Sequence, residues 1–420
     1  MKNSSNNIAQ QFIGYKLVHI CLIACIMTLL LGTNVFGTAS ASGNAMGYWF
    51  GYVIGGLFRR FAMYFYIPVW LVALYLSFKV PRFRIKINWN SFIPLLVFIL
   101  YAIAQLWLAN PIFAYASIER FINTLLIVII ALPLCFCEGC RLYWIGLIVS
   151  GFLFVMSLLF SGQLQSVISG GGFIGIYNDQ GRLALNTDTI TSASIMYQCA
   201  LATIFWIIAN PKKENIISVL FIFVLLGIAI LTGSKGPAIG FVLSLIPIGF
   251  YRNIKNKGFF FVVLFVFVAL LWNSQAILGD YSNAANHLAV DINEELRIYF
   301  YNSVIESVPT LIGNGIGSWG VTFAGGSEKY VHNSILEVYY EMGLVGACLF
   351  LWALGNIGIR LFKVLRSESN PVVGFLLAYF VYGVVTSMFS GSIFGDTVLW
   401  VGLVLSCTQL NHSPTNIYES

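Results

Sequence analysis

The chain has 420 residues, 59% of them hydrophobic and 9% charged, with a formal net charge of +6. Soluble domains carry roughly 25% charged residues, so a soluble enzyme, a disordered chain and a collagen-like chain are all excluded. A mean hydropathy of +0.85 points instead to one polytopic membrane domain over 1–420.

A membrane-spanning backbone must pair its polar groups internally, so it is helical or a closed barrel. Barrel strands alternate polar and apolar residues, whereas runs such as Phe259–Trp272 are apolar throughout, which predicts an all-α fold. In chain order the apolar runs fall near 17–36, 61–79, 91–108, 121–136, 143–161, 190–209, 216–232, 237–251, 258–275, 343–361, 371–390 and 396–410. They predict about 12 transmembrane helices. The Gly-rich stretch 43–58, with Trp49, Phe50 and Tyr52, reads as an interfacial or loop segment. Leu17–Leu31 followed by Ala39-Ser40-Ala41 also fits a signal peptide, the competing reading of the first run.

With both termini cytoplasmic, 15 of the 22 basic residues fall in internal segments and 7 in external ones. This bias orients the chain by the positive-inside rule. It also accounts for the net charge without nucleic acid as a partner. Internal segments then sum to +11 and external segments to −5, which recovers the +6 of the whole chain. Two polar external segments, 162–189 and 276–331, are where chemistry is expected.

None of the eight cysteines falls in an external segment, so no extracytoplasmic disulfide framework is expected. Cys137-Glu138-Gly139-Cys140 is a lone CxxC with no second pair and no nearby histidine, and reads as reduced thiols rather than a metal or redox site. His19 lies in the first run, His287 in a polar loop and His412 in the C-terminal tail. His332 differs, standing beside Asn333 just before the tenth run, at the outer boundary.

Three external cations sit in organised local sequence. Lys235 lies in Thr232-Gly233-Ser234-Lys235-Gly236-Pro237, a tight turn between two runs. Arg297 lies in the amphipathic stretch Glu294–Tyr301, followed by Pro309 and Gly313-Asn314-Gly315-Ile316-Gly317. Arg182 lies in Asp179–Asn186. Singly, each reads as a cation snorkelling at the interface. Together with His332 they describe an outward basic cavity suited to a phosphate or pyrophosphate. A neutral histidine there can take a proton from a hydroxyl nucleophile. Glu337, four residues after Asn333, is placed to orient it, although Glu337 and Glu341 read equally as helix-entry charges in a wet cavity. Asp396 reads as the cap of the last helix.

His332-Asn333, nine residues, then Gly343-Leu344-Val345-Gly346 resembles the signature of the O-antigen polymerase and O-antigen ligase superfamily. The Lys235 turn and the Arg297-to-Gly317 segment resemble two further family elements in order and spacing, with Lys235 where the family usually has arginine. The resemblance covers roughly 190–410, including the external loop 276–331. It implies an integral, C-type, inverting glycosyltransferase of the bacterial inner membrane, with its active site facing the periplasm. The implied donor is a glycan on undecaprenyl pyrophosphate, with no cofactor and no metal. The implied acceptor is a lipid-linked repeat unit or lipid A–core, and a chain-length regulator is a further candidate partner. By the same resemblance His332 and Arg297 are the catalytic residues, and Lys235, Arg182, Asn333 and Glu337 bind substrate. Fixed cations stabilise a pyrophosphate leaving group more as its charge grows, which is how they can replace a metal. The Lys235 turn and the 35 residues from Arg297 to His332 favour polymerase over ligase. A flippase for the same lipid is the third reading, disfavoured because mid-span charges are scarce.

Overall fold

The structure is a computed structural model that describes residues 86–109, 115–135, 137–160, 189–210, 216–231, 234–250, 296–307, 310–323, 330–368, 370–389 and 391–409, with isolated positions at Leu71, Tyr75, Phe265 and Val268. The expectations for the first, second and ninth apolar runs, the stretch 43–58, Arg182, His19, His287 and His412 lie outside the described residues, save for those isolated positions. Among the described residues the fold is helical. It contains one isolated antiparallel bridge, Ile87 to Thr408, and no strand.

In chain order the helices are α1 (Trp89–Gln105), α2 (Tyr115–Ala131), α3 (Cys137–Phe160), α4 (Thr189–Ala209), α5 (Ile216–Leu231), α6 (Lys235–Ser244) and α7 (Ile246–Phe250). They continue with α8 (Leu296–Ile305), α9 (Ser318–Phe323), α10 (Ser334–Ser367), α11 (Pro371–Ser387) and α12 (Thr397–Ser406). Each predicted run inside the described residues overlaps one of these helices, except that 237–251 is divided into α6 and α7, and the tenth run, 343–361, lies inside the longer α10. The stretches Ser117–Leu134, Gly139–Met156 and Ser334–Ser367 are long and apolar enough to cross a membrane, and further apolar helices are shorter. This is an all-helical fold of membrane type.

Helix starts follow from local sequence. Asn88, Asn333, Asn370 and Asp396 each accept a backbone N–H of the first turn they precede. Such caps satisfy donors that the helix itself leaves unpaired. Pro371, directly after Asn370, suits the first helical position.

At the centre of the bundle lies α11, buried without interruption from Val373 to Phe380 and packed against α3, α4, α6, α10 and α12. On α1, Leu95, Phe98, Ile99 and Ala102 are buried, while Ile93, Leu96, Val97, Leu100 and Ile103 form an exposed apolar stripe. A stripe of that extent suits lipid rather than water. Buried hydroxyls link helices across the dry interior. Tyr379 donates to Gln198 at 3.0 Å and meets the Tyr143 hydroxyl at 2.7 Å, joining α11 to α4 and α3. Cys135, Cys140, Cys199 and Cys407 are buried free thiols, and Cys348 is free and exposed.

Candidate functional site

The site is built on an interruption in α10. Hydropathy places the start of the tenth run near 343, but the helix begins at Ser334, because Asn333 caps it there. What happens at 343 is a break: Gly343 adopts φ 70° and ψ −171° between two helical segments. That backbone region is essentially restricted to glycine. A break leaves carbonyls and N–H groups without helical partners, and the segment 310–315, which runs into the Gly313–Gly317 motif, supplies them. Asn314 N donates to Tyr340 O at 3.3 Å and Gly315 N to Glu341 O at 2.8 Å. On the far side, Leu344 N and Val345 N donate to Thr310 O and Leu311 O, each at 3.1 Å. Tyr101 and Gln105 of α1 hold the same loop through Ile312 O, at 3.2 and 2.7 Å. The two glycine-rich motifs are therefore two halves of one backbone joint. The glycines at 313, 315 and 317, all at positive φ, allow the loop to lie against it.

Nine residues of helix separate this joint from Asn333, and His332 sits immediately before that cap. His332 has φ 62°, and among the described residues it is the non-glycine residue with a left-handed backbone. That conformation costs an L-residue about 1–2 kcal/mol, and such strain persists where the surroundings enforce it. Three sets of contacts do so here. Asn333 Oδ1 accepts from Ile335 N and Leu336 N, both at 3.1 Å. Ser334 Oγ donates to Ser387 O at 3.0 Å, tying the helix start to the end of α11. The Tyr301 hydroxyl is shared between His332 O at 3.2 Å and Met388 O at 3.3 Å. The imidazole is fixed by two rings, Tyr330 at 4.4 Å and 62°, and Phe300, near parallel at 6.1 Å. Val304, Trp319, Val331 and Tyr340 form a small separate core behind these rings.

Glu337 does not orient Asn333, contrary to the sequence expectation. Its carboxylate, 1% exposed, accepts from Ser392 Oγ at 2.5 Å and Ile393 N at 2.9 Å. It clamps the α11–α12 loop to the first turn of α10. Asn333 spends its own side chain on capping. One turn on, Glu341 is equally buried and faces the N–H groups of Gly317 and Trp319. Asp396 caps α12 through Leu399 N at 3.0 Å, as its position predicts.

Lys235 opens α6. Gly240 of that helix rests on Thr386 and Tyr382 of α11, while Phe250 of α7 meets Phe362 of α10 at 5.1 Å. Phe362 lies near the end of α10 opposite to His332, so the α6–α7 segment runs away from His332 and Lys235 stands at the His332 end of the bundle. Arg297 is the second residue of α8, one turn before Phe300 and Tyr301, which hold His332. The backbone therefore carries both cations to the end of the bundle that holds His332.

One cation belongs to this neighbourhood that sequence reasoning did not select. Arg120 of α2 stacks on Tyr330 with its guanidinium carbon 4.6 Å from the ring centroid, and its field reaches Glu337 and Glu341. A charged residue beside an apolar helical run was the available signal. The signal was diluted because Arg120 lacks a glycine-rich or amphipathic setting. Arg120, Tyr330, His332 and Phe300 form a continuous series of contacting groups, face-on at Arg120–Tyr330, edge-on at Tyr330–His332 and near parallel at His332–Phe300. The arrangement offers a fixed imidazole next to cations, the chemistry of hydroxyl deprotonation beside an anionic leaving group.

Residues 220–351 match the family model described as O-antigen ligase. The matched segment contains Lys235, Arg297, His332, Asn333 and both glycine motifs, and it supports the O-antigen polymerase and ligase superfamily. No curated protein matches the chain.

Proposed function

We propose that the chain is a membrane glycosyltransferase that polymerises O-antigen, or related surface polysaccharide, repeat units carried on undecaprenyl pyrophosphate. The expected count of about 12 transmembrane helices would leave both termini in the cytoplasm and the His332 end of the bundle facing the periplasm. The observation that carries this reading is the strained His332, held between the Phe300 and Tyr330 rings at the start of the helix that breaks at Gly343, within the segment that matches the O-antigen ligase family.

In the proposed reaction His332 takes the proton of the acceptor hydroxyl. That oxygen attacks the anomeric carbon of the donor sugar as the bond from this carbon to the pyrophosphate oxygen breaks. One displacement inverts the anomeric centre. Arg297 and Lys235, with Arg182, stabilise the charge that grows on the leaving pyrophosphate, so no metal is required. Asn333 acts by fixing the backbone that presents His332, and Glu337 by fixing the loop beside it.

A second reading is transfer of the finished glycan to lipid A–core, favoured by the description of the matched family. Glycan gels of a deletion strain separate the two. Loss of a polymerase leaves single repeat units on lipid A–core. Bare core with long lipid-linked chains accumulating would replace polymerase by ligase.

A further inference from the structure

We propose that Arg120 is a positioning residue for the reaction, holding the Tyr330 ring and, through that ring, the His332 imidazole; the inference rests on the glycan-transfer reading above. Arg120 lies outside the segment that matches the family, so the match assigns it no role. The contacts of Asn333 and Ser334 fix the chain after His332, and Tyr301 holds its carbonyl. Arg120 acts on the chain before it. Tyr330 stands two residues ahead of His332, and its ring meets the imidazole edge-on at 4.4 Å. The Arg120 guanidinium carbon lies 4.6 Å from the centre of the same ring. A cation over an aromatic face is held by the ring quadrupole, more strongly away from water. Arg120 Nη1 is buried and has no hydrogen-bond acceptor among the described residues, so no hydrogen bond from that atom draws the head off the ring.

A long side chain positions its neighbour only if its own stem is fixed, because a free arginine loses rotamer entropy whenever it is held. The fold fixes this one. Three residues of α2 grip the loop between α11 and α12. Thr124 Oγ1 accepts from Gly395 N at 2.8 Å, and Phe121 meets Phe394 edge-on at 4.8 Å. The stem of Arg120 lies along Gly395, where an added Cβ would stand 3.5 to 3.7 Å from its Cδ, Cγ and Cβ. The same loop is bound to the first turn of α10 by Glu337. The seat of the arginine is therefore tied to the helix that follows His332, and its head reaches the residue two before His332. The left-handed turn at His332 is bracketed from both sides.

The test is steady-state release of undecaprenyl pyrophosphate by the full chain in lipid nanodiscs. Lipid-linked repeat units are supplied alone and with lipid A–core added, so that polymerase and ligase chemistry both register. Arg120→Met should lower kcat by about tenfold or more, the scale on which a misplaced reacting group loses rate. KM should stay unchanged, because a group that acts only through His332 makes no ground-state contact with substrate. Arg120→Lys keeps a cation for the ring face and should recover most of the loss. Added to Tyr330→Leu, Arg120→Met should lower kcat no further, since the two residues act in one series. Arg120→Gln serves in place of Arg120→Met if the latter does not insert. A raised KM at constant kcat would make Arg120 a substrate ligand instead. Multiplying losses in the double variant would separate it from Tyr330, and a lysine no better than methionine would reduce the side chain to packing. Full activity of Arg120→Met would remove it from the reaction. Each of these outcomes overturns the positioning role alone, whereas a wild type that releases no undecaprenyl pyrophosphate in either mixture overturns the glycan-transfer reading and this role with it.

Discussion

Gly343 and Gly313 meet backbone to backbone: a Cβ on Gly343 would overlap the Gly313 nitrogen, and a Cβ on Gly313 would overlap the carbonyl of Glu341. The joint in α10 exists because neither position carries a side chain. Gly343→Ala combines that overlap with a backbone region closed to alanine, and is expected to cost about 3 kcal/mol or more. Gly355, in the same helix, has nothing within 4 Å of an added Cβ. Gly355→Ala should therefore be neutral or stabilising by up to about 1 kcal/mol. Thermal unfolding of the purified variants in detergent compares the two directly.

The left-handed backbone of His332 separates its structural cost from its chemical use. His332→Gly relieves the strain and should unfold no earlier than the wild type, yet fail to restore glycan polymerisation to a deletion strain. His332→Ala keeps the strain, loses the imidazole and should be inactive too. Activity retained in either variant, with normal membrane insertion, would remove His332 from the proposed chemistry.

The Glu337 clamp is a buried carboxyl that accepts from two donors. Glu337→Ala leaves Ser392 and Ile393 N without their acceptor, and is expected to lose about 1–3 kcal/mol for each donor left unpaired. Ser392→Ala should lose less, since the Ile393 bond survives. In a double-mutant cycle the two should couple by about 1–3 kcal/mol. Additive losses would show that the contact contributes nothing of its own.

Cation geometry gives a further contrast. Lys235→Arg retains charge and adds a planar fork, so it should be tolerated, whereas Lys235→Ala and Arg297→Ala should abolish complementation. Chelation should leave activity in isolated membranes intact. Strong inhibition would point to metal-assisted transfer instead.

Much of the helical framework is legible in sequence, because an apolar run of sufficient length is visible without knowing its neighbours. The joint is less so. Hydropathy marks where a chain becomes apolar, and α10 becomes helical nine residues earlier, at a cap that a hydropathy window does not register. The motif glycines were visible, but their mutual contact spans thirty residues of sequence and depends on both backbones. Glu337 was assigned by helical spacing to Asn333. Its partners lie more than fifty residues away, on a loop whose approach no local pattern encodes. Arg120 reaches the site from a position more than two hundred residues before His332.

The central claim is catalytic, and purified chain in nanodiscs tests it most directly. Incubated with lipid-linked repeat units alone, the wild type should produce a ladder of longer lipid-linked glycans and release undecaprenyl pyrophosphate, while His332→Ala produces neither. A wild type that forms no longer product, or a His332→Ala variant that matches it, would contradict the account.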